Sequence, residues 1–363
     1  MEATGTASQR VSTLELFFDL VFVLTITQLT GVLYEAPTWR SLLEVVLMLA
    51  LIFWMYGGYV WLTNAVAANT TRRREVLLAG MGAYFVLSLS VPGAFVSSGL
   101  AFGLAYAVIV VVHVGLFTRA TSQDVVAGIL RIFRGNMASA ALVLAGGALG
   151  GTAQYVLWAA AVAVQWLTPV VQGLQGFEVE PGHFVERHGL VLLIAIGESV
   201  VAVGIGASGL AIDGGLVLVA LLGLALSACL WWLYFGHGDD ERAERALSAM
   251  APLPRARAAL VAFFFCYLAM LLGVVAIAAA EHSALEDPFG ELTWAKAALL
   301  GGGVAVVLAG DAAFRRTLGL GSSVTRAAVA LLALATIPLG AVSAALQIGV
   351  LVALLSVALV ARR

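Results

Sequence analysis

GLVLLIAIGESVVAVGIG, residues 189–206, is a run apolar enough to lie within a bilayer, broken by a single ionisable side chain, Glu198. About 20 apolar residues at a rise of 1.5 Å cross a hydrocarbon core of about 30 Å as a helix. A second run of this kind, LELFFDLVFVLTITQLTGVLY at residues 14–34, carries Asp19. An ionisable group at such a depth costs roughly 2.5–3.5 kcal/mol to insert, so it faces a bundle interior or a water-filled cavity. The two acids open the two halves of the chain, and function is expected to turn on them.

Composition carries the same message along the whole length. The 363 residues are 62% hydrophobic and 11% charged, with mean hydropathy +1.02. Soluble domains carry about 25% charged residues. The expected fold class is therefore an all-α integral membrane protein, with the lipid bilayer as its first partner. A net charge of −2 leaves no basic surface for nucleic acid. Cys229 and Cys266 fall inside apolar runs and read as small packing residues. The first apolar run contains Asp19 and lacks a small-residue cleavage site, so no cleavable signal is expected.

About twelve transmembrane helices are expected, over 13–34, 41–64, 75–95, 98–118, 135–150, 152–170, 188–209, 213–235, 256–280, 293–313, 322–338 and 341–361. Cytoplasmic loops collect lysine and arginine. With both termini cytoplasmic, all but Arg40 and Lys296 of the 19 lysines and arginines fall inside, including Arg10, Arg119, Arg362 and Arg363. A missed span would misplace several of them.

The halves look duplicated: a six-helix half over 1–170, a cytoplasmic connector over 171–187 and a six-helix half over 188–363. Arg74 and Tyr84 are ten apart, as are Arg257 and Tyr267. The second span ends FWMYGGYVWLTN and the eighth CLWWLYFGHG. Six spans per repeat make the repeats parallel, as in the paired halves of some transporters. In this register Asp19 falls near Leu190, and Glu198 faces Thr27 and Gln28.

RVSTLELFFDLVFVLTITQL at 10–29 and HFVERHGLVLLIAIGESVVAVG at 183–204 together resemble the bacterial low temperature requirement A (LtrA) family. The second motif, with Glu186, Arg187, His188, Gly189, Gly197, Glu198 and Ser199, is the more specific. The resemblance implies a multi-pass protein of the bacterial cytoplasmic membrane, linked to growth in the cold. It implies no particular chemistry. Phe17–Asp19 is also similar to the Phe-Ser-Asp signature of lysosomal-type potassium/proton channels, with Phe18 in place of the serine.

Glu198 lies about 15 Å into its span, near the midplane, and Asp19 about 9 Å into the first. Burial penalises the charged form of a carboxyl, which makes Glu198 the candidate for proton exchange. His113 is level with Asp19, and an Asp19–His113 pair would form a proton relay. Thr27, Gln28, Ser199, Tyr56 and Tyr59 are the candidate cavity-lining groups. His183, Glu186, Arg187 and His188 cross the cytoplasmic start of the seventh span and read as an ion-pair cluster or gate. His188 lies about 140° around the helix from His183, which does not suit a single-face metal triad.

The remaining acids suggest simpler roles. Ser12-x-x-Glu15 and Ser41-x-x-Glu44 read as capping boxes, and Asp213 as a helix N-cap. Asp311 is expected to pair with Arg315 four residues on. The segment DDERAERALSAMAPLPRARA reads as a solvated cytoplasmic connection. No Gly-rich phosphate loop with its lysine, HExxH, cysteine metal set or Gly-x-Ser-x-Gly elbow occurs in the sequence, so no catalytic residue, metal or cofactor is expected. The sequence points first to a proton-coupled secondary transporter of a small solute or ion. An ion channel and a membrane-embedded lipid-handling enzyme are the alternatives. Substrate and oligomeric state are not legible.

Overall fold

The computed structural model describes residues 11–65, 70–117 and 123–360. Arg10, Arg119, Arg362 and Arg363, counted as cytoplasmic above, lie outside the described residues. Every regular element among the described residues is a helix. The first half comprises α1 (Thr13–Glu35), α2 (Trp39–Ala65), α3 (Thr71–Ser90), α4 (Gly99–Phe117), α5 (Gln123–Leu149) and α6 (Gly151–Gln172). The second comprises α7 (Pro181–Gly206), α8 (Gly214–Tyr234), α9 (Asp239–Ser248), α10 (Pro252–Leu260), α11 (Tyr267–Glu286), α12 (Trp294–Leu318), α13 (Val324–Ala335), α14 (Ile337–Gly340) and α15 (Ala344–Val360). A π-helical turn, Val261–Cys266, joins α10 to α11.

Nine helical segments among the described residues are long and apolar enough to cross a bilayer, against the twelve expected. Three of the twelve fall outside that set. Helix α3 opens on Arg72, Arg73, Arg74 and Glu75, which dilute its apolar stretch. Val324–Gly340 and Ala344–Val360 are shorter apolar helices.

Helix starts follow from side chains that accept the first free backbone N–H groups. Ser12 and Glu15 form the expected capping box of α1: the Glu15 carboxylate accepts from Ser12 N at 2.8 Å, and Ser12 Oγ accepts from Glu15 N at 3.4 Å. Asp213 caps α8, accepting from Leu216 N at 2.8 Å. The start of α2 differs from expectation. Ser41 lies inside the helix, and Thr38 Oγ1 accepts from Ser41 N at 3.1 Å. Helix α2 therefore begins one turn early, at Trp39, because Thr38 supplies the cap. Thr38→Ala should lower stability by about 1 kcal/mol, as measured by unfolding in detergent. A loss confined to Ser41→Ala would restore the original reading.

Glycines set the closest helix contacts. A Cβ on Gly303 of α12 would stand 2.8 Å from the Gly273 carbonyl oxygen of α11, and one on Gly301 would stand 2.8 Å from that of Ala333 in α13. These backbones touch because no side chain separates them, as expected for packing in lipid. Gly150 and Gly151 take φ of 66° and 56°, which lets α5 reverse into α6 with almost no loop.

In the first half α1 packs on α3, α3 on α4, α4 on α5, α5 on α6 and α2 on α6. In the second, α7 packs on α11, α11 on α12, α12 on α13, α13 and α14 on α15, and α15 on α8. Tyr59 of α2 meets Tyr84 of α3 edge-on, with centroids 5.7 Å apart; Tyr234 of α8 meets Tyr267 of α11 in the same way at 6.0 Å. The halves join where α1 and α2 lie against α7, α11 and the π-helical turn.

Candidate functional site

Most of the polar side chains singled out in the sequence meet along the seam between α1, α7 and α11. At the Ser12 end, Arg187 is buried between two acids of α1. Its Nη1 lies 3.0 Å from Glu15 Oε1 and its Nη2 2.6 Å from Asp19 Oδ1. His183 Nε2 lies 3.1 Å from the same Glu15 oxygen. Tyr56 of α2 donates its hydroxyl to Asp19 at 2.8 Å. Residues 183 and 187 share a face of α7, and 15 and 19 share a face of α1, because each pair is one helical turn apart. The side chain of Asn64 fastens the end of α2 to this cluster, donating to Glu180 O at 3.2 Å and accepting from Glu180 N at 2.9 Å. Glu180 is itself the cap of α7.

Of the four residues expected to form a cytoplasmic gate, the structure brings together His183 and Arg187. Glu186 is exposed, facing a surface depression shared with Asp240, Glu241 and Glu244. His188 turns the other way: its Nδ1 lies 2.8 Å from the Phe184 carbonyl, and its ring packs against Phe263 and Tyr267. His113 lies against Tyr59 and Gly58, while the partners of Asp19 are Arg187 and Tyr56. Tyr59 donates to Ile109 O at 3.1 Å and stacks on Phe18. Tyr56 and Tyr59 thus belong to the Asp19 end of the seam.

Eight residues further along α1, about 12 Å at the helical rise, Thr27 Oγ1 donates to Glu198 Oε2 at 2.7 Å. Glu198 is 2% exposed. Thr27, rather than the half-buried Gln28, is the residue that reaches it. The adjacent Ser199 faces Glu281 of α11, a fully buried acid. Sequence reasoning missed Glu281 because the ninth span was ended at 280, at the first charge. The buried Ser283, Ala284 and Leu285 beyond it show that the helix continues inside the bundle. At the far end of the seam Tyr34 donates to Glu286 at 2.5 Å and stacks on His282 with centroids 3.7 Å apart.

A second buried charge cluster lies in the second half alone, and two expectations are corrected there. Asp311 pairs with Arg326 of α13 rather than with Arg315. Arg315 reaches Asp239 and the Leu320 carbonyl. Asp239, placed above in a solvated connection, is wholly buried and also accepts from Arg326 at 3.3 Å. The left-handed Gly238, φ 64°, turns the chain so that the first residue of α9 points under α12 and α13.

The model of the family described as bacterial low temperature requirement A protein matches residues 10–361. An uncharacterized protein of Rhizobium meliloti (strain 1021) is 26% identical over 326 residues, 86% of this chain and 78% of that protein. The nine apolar helical segments among the described residues mark this chain as a multi-pass membrane protein.

Proposed function

We propose that this chain, which belongs to the bacterial low temperature requirement A protein (LtrA) family, is a proton-coupled secondary transporter of a small solute or ion in the bacterial cytoplasmic membrane. One observation carries the reading: Glu198, buried about two-thirds of the way along the apolar helix α7, is held across the seam to α1 by the Thr27 hydroxyl, its one hydrogen-bond partner among the described residues. A carboxyl in such a place is stable when neutral or when its charge is met, and a hydroxyl donor can serve either state. Proton gain and loss at Glu198 would then change what the seam can hold between α1 and α7. The ordered helix pairings and the two edge-on tyrosine pairs support a duplication into parallel six-helix halves, which is the architecture this mechanism uses. Arg187 with Glu15, Asp19 and His183 would close the cytoplasmic end. Tyr34 with His282 and Glu286 would close the opposite end. The family description names a low-temperature requirement, and the setting we propose for the transport is growth in the cold.

The test is the purified protein in liposomes carrying a pH-sensitive dye, challenged with a panel of ions and small solutes. The expected result is solute-dependent proton flux that Glu198→Gln abolishes while the protein still folds. Flux that persists undiminished in Glu198→Gln overturns the reading. Steady current with no dependence on a second species would indicate a channel instead.

A further inference from the structure

We propose that Glu281 is a second cation-accepting carboxyl of the α1/α7/α11 seam, taking a proton or a monovalent metal ion, with Ser199 as the hydroxyl that serves it. The proposal deepens the proton-coupled reading by adding a second group that can hold the coupling cation.

The described residues include six buried acids: Glu15, Asp19, Glu198, Asp239, Glu281 and Asp311. Four of them have an arginine partner: Glu15 and Asp19 share Arg187, Asp239 has Arg315 and Arg326, and Asp311 has Arg326. Two do not. Glu198 has the Thr27 hydroxyl, and the Glu281 oxygens accept no hydrogen bond of good geometry. Neighbouring residues of α7 address the two sites, Glu198 meeting Thr27 of α1 and Ser199 meeting Glu281 of α11, towards the end of the seam away from Ser12.

The surroundings of Glu281 fit a site that takes a cation. From α7 it is faced by Ser199, whose buried hydroxyl has no other partner among the described residues. From α8 it is faced by Gly223, where an added Cβ would stand 3.3 Å from Oε1. The glycine thus leaves the carboxyl its space. The titratable neighbours are Glu198, one residue from Ser199, and His282, which is turned towards Tyr34 and Glu286. No described salt bridge reaches Glu281. An ionised carboxylate without a partner is costly in such surroundings, so a cation from solution must meet its charge. The hydroxyl of Ser199 can donate to the ionised group or accept from the acid.

Infrared difference spectroscopy on the full-length protein in lipid vesicles tests this without requiring transport. One arm changes pH from acidic to alkaline. The other holds alkaline pH and exchanges choline for sodium or potassium. Beyond the broad response of the exposed acids, wild type should show two further responsive carboxyl components; Glu281→Gln should remove one and Glu198→Gln the other. Ser199→Ala, which keeps both carboxyls, should shift the Glu281 component in frequency. A response to pH alone identifies the proton, and a response to sodium or potassium at fixed pH identifies the metal ion. Unchanged spectra in Glu281→Gln, or no shift in Ser199→Ala should the first variant not assemble, overturn the proposal. Because the readout is independent of flux, a silent Glu281 in an active transporter refutes only this inference. A titrating Glu281 in a protein that moves nothing refutes only the transport reading.

Discussion

Arg187→Gln should lower the unfolding free energy by about 3–5 kcal/mol, the usual cost of removing one partner from a buried ion pair. Arg187 is 1% exposed and contacts Glu15 and Asp19 at 3.0 and 2.6 Å. Its removal strands two carboxylates, leaving the His183 ring beside Glu15 and the Tyr56 hydroxyl on Asp19. Lysine would not restore the cluster, because a single ammonium lacks the planar fork that reaches two acids at once. Adding Glu15→Gln and Asp19→Asn to Arg187→Gln removes the stranded charges and should return most of the loss. Denaturant unfolding in detergent across this set measures the coupling. A loss below about 1 kcal/mol for Arg187→Gln, the range of exposed pairs, would mean that water reaches the cluster.

Arg326→Met should cost about as much, again roughly 3–5 kcal/mol, for a different structural reason. Arg326 lies between Asp239 and Asp311 and donates to the Leu233 carbonyl at 2.7 Å. Every partner belongs to the second half, so the damage should stay within that half. Methionine fills much of the volume but leaves both aspartates short of a donor. Under the proton-coupled transport proposed above, the folded fraction of Arg326→Met should keep wild-type proton flux per molecule, whereas Arg187→Gln should change it. Equal loss of specific flux in both variants would break the distinction between a seam cluster and a structural one.

How much of this was legible in the sequence follows from the range of each interaction. The Ser12 and Asp213 caps were readable because a cap acts over three residues. Thr27 was placed opposite Glu198 by matching the halves, and the hydroxyl does reach the carboxyl there. The pairing of Asp19 with Arg187 joins residues 168 apart, and no local pattern encodes it. His113 was an equally reasonable partner on depth alone. Glu281 was lost because a charged residue was taken to end a span, while its burial depends on α7 and α8 packing around it. Asp239 was misread because a run of mixed charges describes the segment's average and hides its one buried member. At Ser41 a good capping pattern lost to Thr38, three residues earlier.

The Glu15–Asp19–Arg187 cluster also sets an order of events in biosynthesis. Helix α1 leaves the ribosome with both acids, and the arginine that completes them is 168 residues behind. At about 5–20 residues per second, the first helix waits roughly 10–30 s for its partner. During that interval it must stay hydrated at the membrane surface, be held by the insertion machinery or carry its acids protonated. Assembly of α1 is thereby deferred until α7 arrives, so the segment made first is fixed in place only as the second half of the chain begins to emerge.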